Sequence, residues 1–308
     1  MKSHTFSFCT ATASPLMLSA LLGAAISINV SAQVKDADNT APQFTQTSAN
    51  VYRRFAVDFE KMKVFYGDIL GLKLLPLLNM PGGGTMNLFQ IGSGQLKLQK
   101  VAAGNRPAFG AVKDAVGIRL LTFFFPDEAA LAARFKEHGY PAPAFHSASG
   151  GTRVATAADP DGQWVELLVT PGAPAAQFDR IEIGLLVSDL EKSRAFYRGF
   201  VGLEEQKPVE DAMLGTTKYP YRVGTTTINL WSVGKGLPVN TITAGIQYVV
   251  GNVEAINARA QSQGVKIDRP LSDFTANLRT VWLSDSDGIV NYFAQIMRRQ
   301  PATEASSR

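Results

Sequence analysis

The sequence predicts an α+β protein of two tandem domains, each containing two strand-helix-strand-strand-strand (βαβββ) modules. Two observations support this fold class. A pattern that begins at Asp58 and ends in Gly71-Leu72 recurs from Asp189 to Gly202-Leu203. A turn of the form Asp-x-Asp-Gly also occurs twice, at 159–162 and at 285–288. A repeat of this length indicates two copies of one domain, each long enough to bury its own core.

The first 32 residues have the composition of a signal peptide. Residues 15–30 are apolar and small, and Val30-Ser-Ala32 provides the small side chains found before a cleavage site. We therefore expect cleavage near Ala32 and a periplasmic or secreted mature protein. A retained anchor or a buried helix is the alternative. The single cysteine, Cys9, lies in this segment, so the mature chain would contain no disulfide and no cysteine ligand for a metal.

Composition divides the rest of the chain into segments. These are a flexible lead-in at 33–50, a first domain at 51–170, a proline- and alanine-rich linker at 171–177, a second domain at 178–298 and a disordered tail at 299–308. Basic residues are scattered and the net charge is +4. We therefore expect no binding to nucleic acid and no membrane association of the mature form.

Alternating apolar residues predict the strands, and capping residues predict the helices. Asp189 is placed as an N-cap before a helix that runs to about Tyr197, and Gly202 follows as a stop signal. The same reasoning predicts strands at 117–125, 153–157, 163–170, 181–187, 219–223, 226–232, 245–250, 279–283 and 289–296, and helices at 128–138 and 253–263.

The segments 188–203 and 159–167 resemble motifs of the vicinal oxygen chelate superfamily, which includes glyoxalase I, the bleomycin-resistance proteins and the extradiol dioxygenases. The resemblance implies that the four βαβββ modules pair into two tandem cupped-sheet domains, with one cavity in each domain. Members that use a metal take ligands from inward strand positions, one per module, and these ligands are usually histidine or glutamate.

The equivalent positions in this chain form two sets of four. They are Val51, Lys97, Leu120 (or Arg119) and Glu166 in the first domain, and Glu182, Asn229, Gly245 and Tyr292 in the second. Each set contains one carboxylate and no histidine, which is a poor donor set for a divalent metal. We therefore expect no metal site and no cofactor. A metal held by ligands from both domains, or from two chains, is the alternative.

The first predicted cavity contains Arg53, Lys97 and Glu166. Two cations and one carboxylate would suit a ligand that carries a carboxylate or an enolate, whereas an internal salt bridge is the alternative reading. His146 precedes a Gly-Gly turn near the expected cavity mouth, where it would act as an acid or base unless it is simply an exposed loop residue. The glycine-rich loop at 81–84 is expected to be a mobile hairpin over the cavity.

The second predicted cavity contains Glu182, Asn229, Trp231 and Tyr292. A carboxylate, an amide and two aromatic rings suit a small ring compound. Burial would raise the pKa of Glu182 and make it a general base, as Glu166 would be in the first cavity. The alternative is a polar residue bonded only to water.

The sequence therefore predicts an exported protein that acts on a small organic molecule by isomerase, lyase or ring-modifying chemistry, with Glu182, Glu166 and His146 as catalytic residues. The alternative is a non-catalytic protein that binds or sequesters such a molecule. The expected partner is this small ligand, and a homodimer is compatible with the sequence.

Overall fold

The structure is a computed structural model that describes residues 41–81, 83–102, 110–211, 213–241 and 243–297. The predicted signal peptide and the predicted tail lie outside these residues, as does the first part of the predicted lead-in. Within the described segments, no helix is both long enough and apolar enough to cross a membrane.

The first half of the chain contains two modules, in the predicted order of elements. The first module consists of β1 (Asn50–Phe55), α1 (Phe59–Lys63, continued by a π-helix at Val64–Ile69), β2 (Lys73–Leu74), β3 (Leu78–Asn79), β4 (Thr85–Ile91) and β5 (Gly94–Lys100). The second consists of β6 (Gly117–Phe125), α2 (Glu128–Glu137), β7 (His146–Ser147), β8 (Arg153–Ala158) and β9 (Trp164–Val169).

The second half repeats this order. The third module consists of β10 (Ile181–Val187), α3 (Leu190–Arg194, continued by a π-helix at Ala195–Phe200), β11 (Glu204–Glu205), β12 (Val209–Asp211), β13 (Thr216–Val223) and β14 (Thr226–Ser232). The fourth consists of β15 (Ala244–Val249), α4 (Val253–Ser262), β16 (Lys266–Thr275), β17 (Leu278–Ser284) and β18 (Val290–Ile296).

The helix of the third module begins where the sequence predicts but ends later. The Asp189 side chain accepts a hydrogen bond from the Lys192 backbone amide, as an N-cap does. The helix continues past the predicted end at Tyr197 because its last turns widen to i→i+5 hydrogen bonding, with the Val201 amide donating to the Phe196 carbonyl. Gly202 then ends it with a φ of 79°.

The strands form two nine-stranded sheets, which confirms the predicted α+β class. Sheet A has the order β16-β17-β18-β15-β1-β5-β4-β2, with β3 paired to β4, and sheet B has the order β11-β13-β14-β10-β6-β9-β8-β7, with β12 paired to β13. Antiparallel pairing of β1 with β15 joins the first module to the fourth, and pairing of β10 with β6 joins the third to the second. The expectation that the two modules of one domain enclose one cavity is therefore wrong.

Packing on the helix side explains this pairing. In the first half, the Phe65 ring contacts the rings of Phe135 and Tyr140 from the second module, and in the second half Phe200 contacts Phe293 from the fourth. The two modules of a half therefore share a core through their helix-covered faces. The first strands of the two modules lie in different sheets. The backbone groups at the free edge of each first strand form hydrogen bonds with a strand from the other half of the chain.

The predicted alternation of side chains is confirmed for several strands. Ile183, Leu185 and Val187 of β10 lie in the helix-side core, as do the leucines of β5 and three alternating residues of β9, Val165, Leu167 and Val169. Glu182, Lys97 and Glu166 occupy the alternate positions, on the faces away from the helices. We call these two faces cup A, on sheet A, and cup B, on sheet B.

Candidate functional site

The structure places Arg53 behind sheet A, which corrects its predicted position in a cavity. Its guanidinium is fully buried among the helix-side residues and donates hydrogen bonds to the carboxylate of Asp159, to Asp161 at 3.3 Å and to the Tyr66 hydroxyl at 3.3 Å. Arg53 therefore forms a buried ion pair within the first half of the chain, which is the alternative reading of this residue.

A one-residue difference between the repeats explains the error. Tyr52 lies opposite Lys97, and Gly184 lies opposite Asn229, so the two sets of strands correspond at a spacing of 132 residues. The helices correspond at a spacing of 131 residues, from Asp58 to Asp189. One extra residue therefore separates β1 from its helix, and a slip of one residue turns every side chain of a strand to the other face.

Cup A contains a cavity of about 200 Å³. Its lining comes from strands at both ends of sheet A, so the sheet curves around the cavity. The lining residues are Arg54, Leu78, Met80, Met86, Lys97, Gln99, Val101, Gln247, Arg269, Phe274, Leu278, Thr280, Trp282 and Tyr292. The cavity therefore brings together two of the predicted ligand-binding residues, Lys97 and Tyr292, which the sequence assigned to different cavities.

An aromatic wall forms one side of this cavity. The rings of Trp282 and Tyr292 stack with centroids 4.3 Å apart, and Tyr52 contacts both rings edge-on. The Arg269 guanidinium lies 4.7 Å from the Trp282 ring. Gly245 makes room for this arrangement, because a Cβ atom there would lie 2.6 Å from the Tyr52 ring. The wall is therefore a rigid apolar surface edged by a cation.

Lys97 is the most perturbed basic group of the cavity. Burial lowers the pKa of its ammonium group to about 8, and no acceptor among the described residues lies at hydrogen-bonding or ion-pairing distance. Removing an ammonium group from water without a partner is unfavourable. Lys97 is therefore suited to an anionic group that enters the cavity.

Cup B contains both predicted catalytic glutamates, which the sequence had placed in separate cavities. Thr122 of β6 lies opposite Glu182 on one side and opposite Glu166 on the other. The Thr122 hydroxyl donates to Glu166 at 2.9 Å, and the Asn229 amide donates to Glu182 at 2.6 Å. The two carboxylates therefore flank one strand on the same face of sheet B.

The electrostatics of cup B differ between its two glutamates. Burial raises the pKa of Glu166 to about 7, a rise to which the nearby Glu182 carboxylate also contributes, although the Thr122 hydroxyl and Lys218 oppose it. The Lys218 ammonium lies 3.7 Å from Glu182 and 4.0 Å from Asp211. Glu166 is therefore the carboxyl group of cup B that is positioned to exchange a proton near neutral pH.

Trp231 lies in cup B, away from Tyr292. It is 1% exposed and packs with Leu120, Leu186 and Leu214. A Cβ atom on Gly184 would lie 2.6 Å from its ring, so the glycine is needed for this close packing. The predicted role of Trp231 in stacking on a ligand is therefore replaced by a packing role, because apolar neighbours cover its ring.

His146 lies in β7, at the outer edge of sheet B, and its side chain is exposed. Strand β8 separates it from the strand that carries Glu166. The prediction that His146 acts with the glutamates at a cavity mouth is not supported by this position, because the edge strand points it to solvent.

The donor sets do not fit the metal that the superfamily resemblance implies. At the inward positions cup A offers Tyr52, Lys97, Gly245 and Tyr292, which include a cation and no carboxylate. In cup B, the Lys218 ammonium lies beside Glu182. Across the described segments, no group of three or more His, Cys, Asp or Glu side chains is arranged to hold a metal ion.

Sequence reasoning missed several residues of the cups, including Arg54, Arg269 and Trp282 in cup A and Lys218 in cup B. Trp282 could have been found, because Val281 and Leu283 alternate with it and lie in the core. Arg54 was missed because β1 was assigned to the wrong register. Arg269 and Lys218 lie on outer strands whose approach to the cup depends on the curvature of the sheet.

Comparison with known proteins agrees with this architecture. The family model described as Glyoxalase/Bleomycin resistance protein/Dioxygenase superfamily matches residues 48–167 and 177–293. No curated protein matches the sequence. The structure is similar to glyoxalase I from Zea mays, with a TM-score of 0.63, 19% sequence identity, and coverage of 83% of this chain and 92% of that chain. A mutant form of the same maize enzyme gives a TM-score of 0.64, also at 19% identity, covering 83% and 92% of the respective chains. At this identity, the similarity shows the fold.

Proposed function

Because the chain belongs to the Glyoxalase/Bleomycin resistance protein/Dioxygenase superfamily, we propose that it binds a small organic molecule in cup A. The observation that carries this proposal is the cavity of about 200 Å³ between the aromatic wall and Lys97. Apolar contact area provides most of the affinity for small ligands, and a few polar groups set their orientation. Cup A contains both kinds of group.

A comparison of the two cups supports the choice of cup A. Gln99 of cup A and Trp231 of cup B occupy equivalent positions. Gln99 lies opposite Arg54 of β1, and Trp231 lies opposite Leu186, the residue of β10 that is equivalent to Arg54. In cup B the indole and its apolar neighbours fill this part of the cup. In cup A, the shorter Gln99 side chain leaves space and lines the cavity.

The variant Gln99→Trp tests the proposal by placing the cup B side chain in cup A. Benzamide, benzyl alcohol and benzoate serve as single-ring probes, with binding measured by calorimetry and the occupied position found by crystallographic soaking. We expect binding to the wild type and to Glu182→Gln, whose substitution lies in cup B, and loss of binding in Gln99→Trp. If Gln99→Trp binds the probes as well as the wild type does, or if they occupy only another position, cup A is not the ligand site.

Proton transfer by Glu166 in cup B is the second candidate function, and the raised pKa of this carboxyl group favours it. A carboxylate whose pKa lies near neutral pH is a stronger base than an exposed glutamate and is still partly ionised. The reaction class would be removal of a proton beside a carbonyl group, as in an isomerase or a lyase.

Deuterium exchange of hydroxyacetone in D₂O tests this second candidate. We expect enzyme-dependent exchange that is lost in Glu166→Gln and reduced in Glu182→Gln, because Glu182 lies in the same cup. Exchange that is equal in the wild type and in both variants would exclude the two glutamates as bases.

We also propose that the mature chain begins near Gln33 and works outside the cytoplasm. The apolar segment before Ala32 supports this proposal. Cell fractionation and amino-terminal sequencing of the purified protein would test it, and a cytoplasmic protein that retains residues 1–32 would contradict it.

A further inference from the structure

The charged residues that line the cavity of cup A all have one sign. Of its fourteen lining residues, Arg54, Lys97 and Arg269 are cations, and none is an aspartate or a glutamate. Two of these cations have partners: Arg269 lies over the Trp282 ring, and Arg54 also takes part in local interactions. Lys97 is the buried cation of the cavity, and among the described residues neither an acceptor nor an aromatic ring contacts its ammonium group. The cavity is therefore positively charged, and the Lys97 ammonium group is available to bind an anion.

The rest of the lining is apolar or neutral. Met80, Met86, Phe274 and Leu278 surround the cavity together with the aromatic wall. The neutral polar groups among the lining residues are two glutamine amides, one threonine hydroxyl, the Tyr292 hydroxyl and the Trp282 indole N–H. A ligand that matches this lining has an apolar body and one anionic group.

Cup B differs in charge at the equivalent positions. Asn229 replaces Lys97, and Tyr292 of cup A is replaced by Glu166. The cation of cup B, Lys218, lies within 4.0 Å of both Glu182 and Asp211 and is already compensated. The two cups thus have similar frameworks but opposite charge, and an anion is favoured in cup A alone.

We propose that cup A selects an aromatic monocarboxylate, with the carboxylate on the Lys97 ammonium and the ring among the apolar lining residues. This inference rests on the proposed function and adds the chemical class of the ligand. A charge-assisted hydrogen bond in a partly buried site is strong enough to distinguish a carboxylate from its neutral amide by about tenfold to a hundredfold.

Benzoate and benzamide are a matched pair for the test, because they have nearly the same shape and differ in charge. We expect the wild type to bind benzoate at least about tenfold more tightly than benzamide. Lys97→Met should lose this preference and keep its affinity for benzamide. The control Lys100→Met removes one positive charge from the same strand, at an exposed position on the other face of the sheet, and should keep the preference.

The pH dependence adds a second readout. Burial lowers the pKa of Lys97 to about 8 in the free protein, so its ammonium form predominates at pH 7. Between about pH 6 and pH 7 the affinity for benzoate should be nearly constant, and it should fall as the pH rises through about 8, whereas the affinity for benzamide should not change. Lys97→Met should fold, because it replaces a buried charge without a partner by an apolar side chain of similar length.

The outcomes separate the two proposals. Preference for benzoate that disappears in Lys97→Met and persists in Lys100→Met supports selection of an anion by Lys97. Equal binding of benzoate and benzamide by the wild type overturns the anion preference but leaves the binding of small molecules in cup A intact. A preference that persists in Lys97→Met overturns the role of Lys97. Absence of both ligands from cup A overturns the proposed function itself.

Discussion

Replacing Arg53 with leucine would leave a carboxylate without its cation in the core of the first half of the chain. The side chains of Arg53 and Asp159 are both 0% exposed, and Arg53 also contacts Asp161 and the Tyr66 hydroxyl. Removing one partner of a buried ion pair typically costs about 3–5 kcal/mol, because the other charge remains desolvated. We expect a loss of this size in the free energy of unfolding of Arg53→Leu at pH 8.

The second half of the chain shows what this variant should resemble. There, Leu185 takes the place of Arg53, and Asp285 takes the place of Asp159. Asp285 keeps the equivalent tyrosine partner, with the Tyr197 hydroxyl donating at 3.0 Å. Burial raises the pKa of Asp285 to about 7, and no cation compensates it among the described residues. Without its arginine, Asp159 should likewise have a raised pKa.

A raised pKa of Asp159 in Arg53→Leu would make the loss of stability depend on pH. A carboxyl group whose pKa is higher in the folded protein than in the unfolded chain lowers stability as the pH rises between the two values. Relative to the wild type, Arg53→Leu should therefore lose less stability at pH 5 than at pH 8. In the double variant Arg53→Leu/Asp159→Asn, much of the loss at pH 8 should be recovered.

Urea unfolding followed by circular dichroism at pH 5 and pH 8 measures both effects. The control is Arg153→Ala, which breaks the partly exposed ion pair with Glu128 and should change stability much less. The prediction is wrong if Arg53→Leu is as stable as this control at pH 8, or if it loses the same stability at both pH values. In either case Arg53 is not needed to stabilise the buried Asp159 carboxylate.

Two further predictions concern cup B. Because burial raises the pKa of Glu166 to about 7, the stability of the wild type should fall as the pH rises from about 4.5 to 7. This pH-dependent loss in the free energy of unfolding, on the order of 3 kcal/mol, should be absent from Glu166→Gln. Gly184→Ala places a Cβ atom 2.6 Å from the Trp231 ring and should destabilise the protein by about 1–3 kcal/mol. In the same thermal melts Gly199→Ala, whose Cβ atom meets nothing within 4 Å, should be neutral or slightly stabilising; equal melting temperatures for the two alanine variants would contradict the close packing.

The two cups show how two copies of one framework can differ in chemistry. Equivalent positions differ in charge, with Lys97 and Tyr292 in cup A and Asn229 and Glu166 in cup B. Since the backbone is shared, the chemical groups that the cups present differ through these few side chains. Function in this fold depends on such sites and not on the framework.

The sequence by itself determined the modules and most of the side-chain faces. The spacing of Asp58 and Asp189 revealed the repeat, and period-two alternation placed Glu182, Lys97 and Glu166 on the faces away from the helices. These features are local: a strand has two faces, and the core takes the apolar one. They could therefore be found without knowing which strands are neighbours.

The tertiary structure decided which modules share a sheet, and hence which residues form a site. Glu166 and Glu182 meet in cup B because β6 pairs with β10, and Lys97 meets Tyr292 in cup A because β1 pairs with β15. Pairing between strands far apart in the chain follows from how the helix-covered faces pack, which no local pattern records. The position of Arg53 also depended on the tertiary structure. One additional residue between β1 and α1 changes which side chains of β1 face the helices, and only the pairing of β1 with β5 and β15 shows this register.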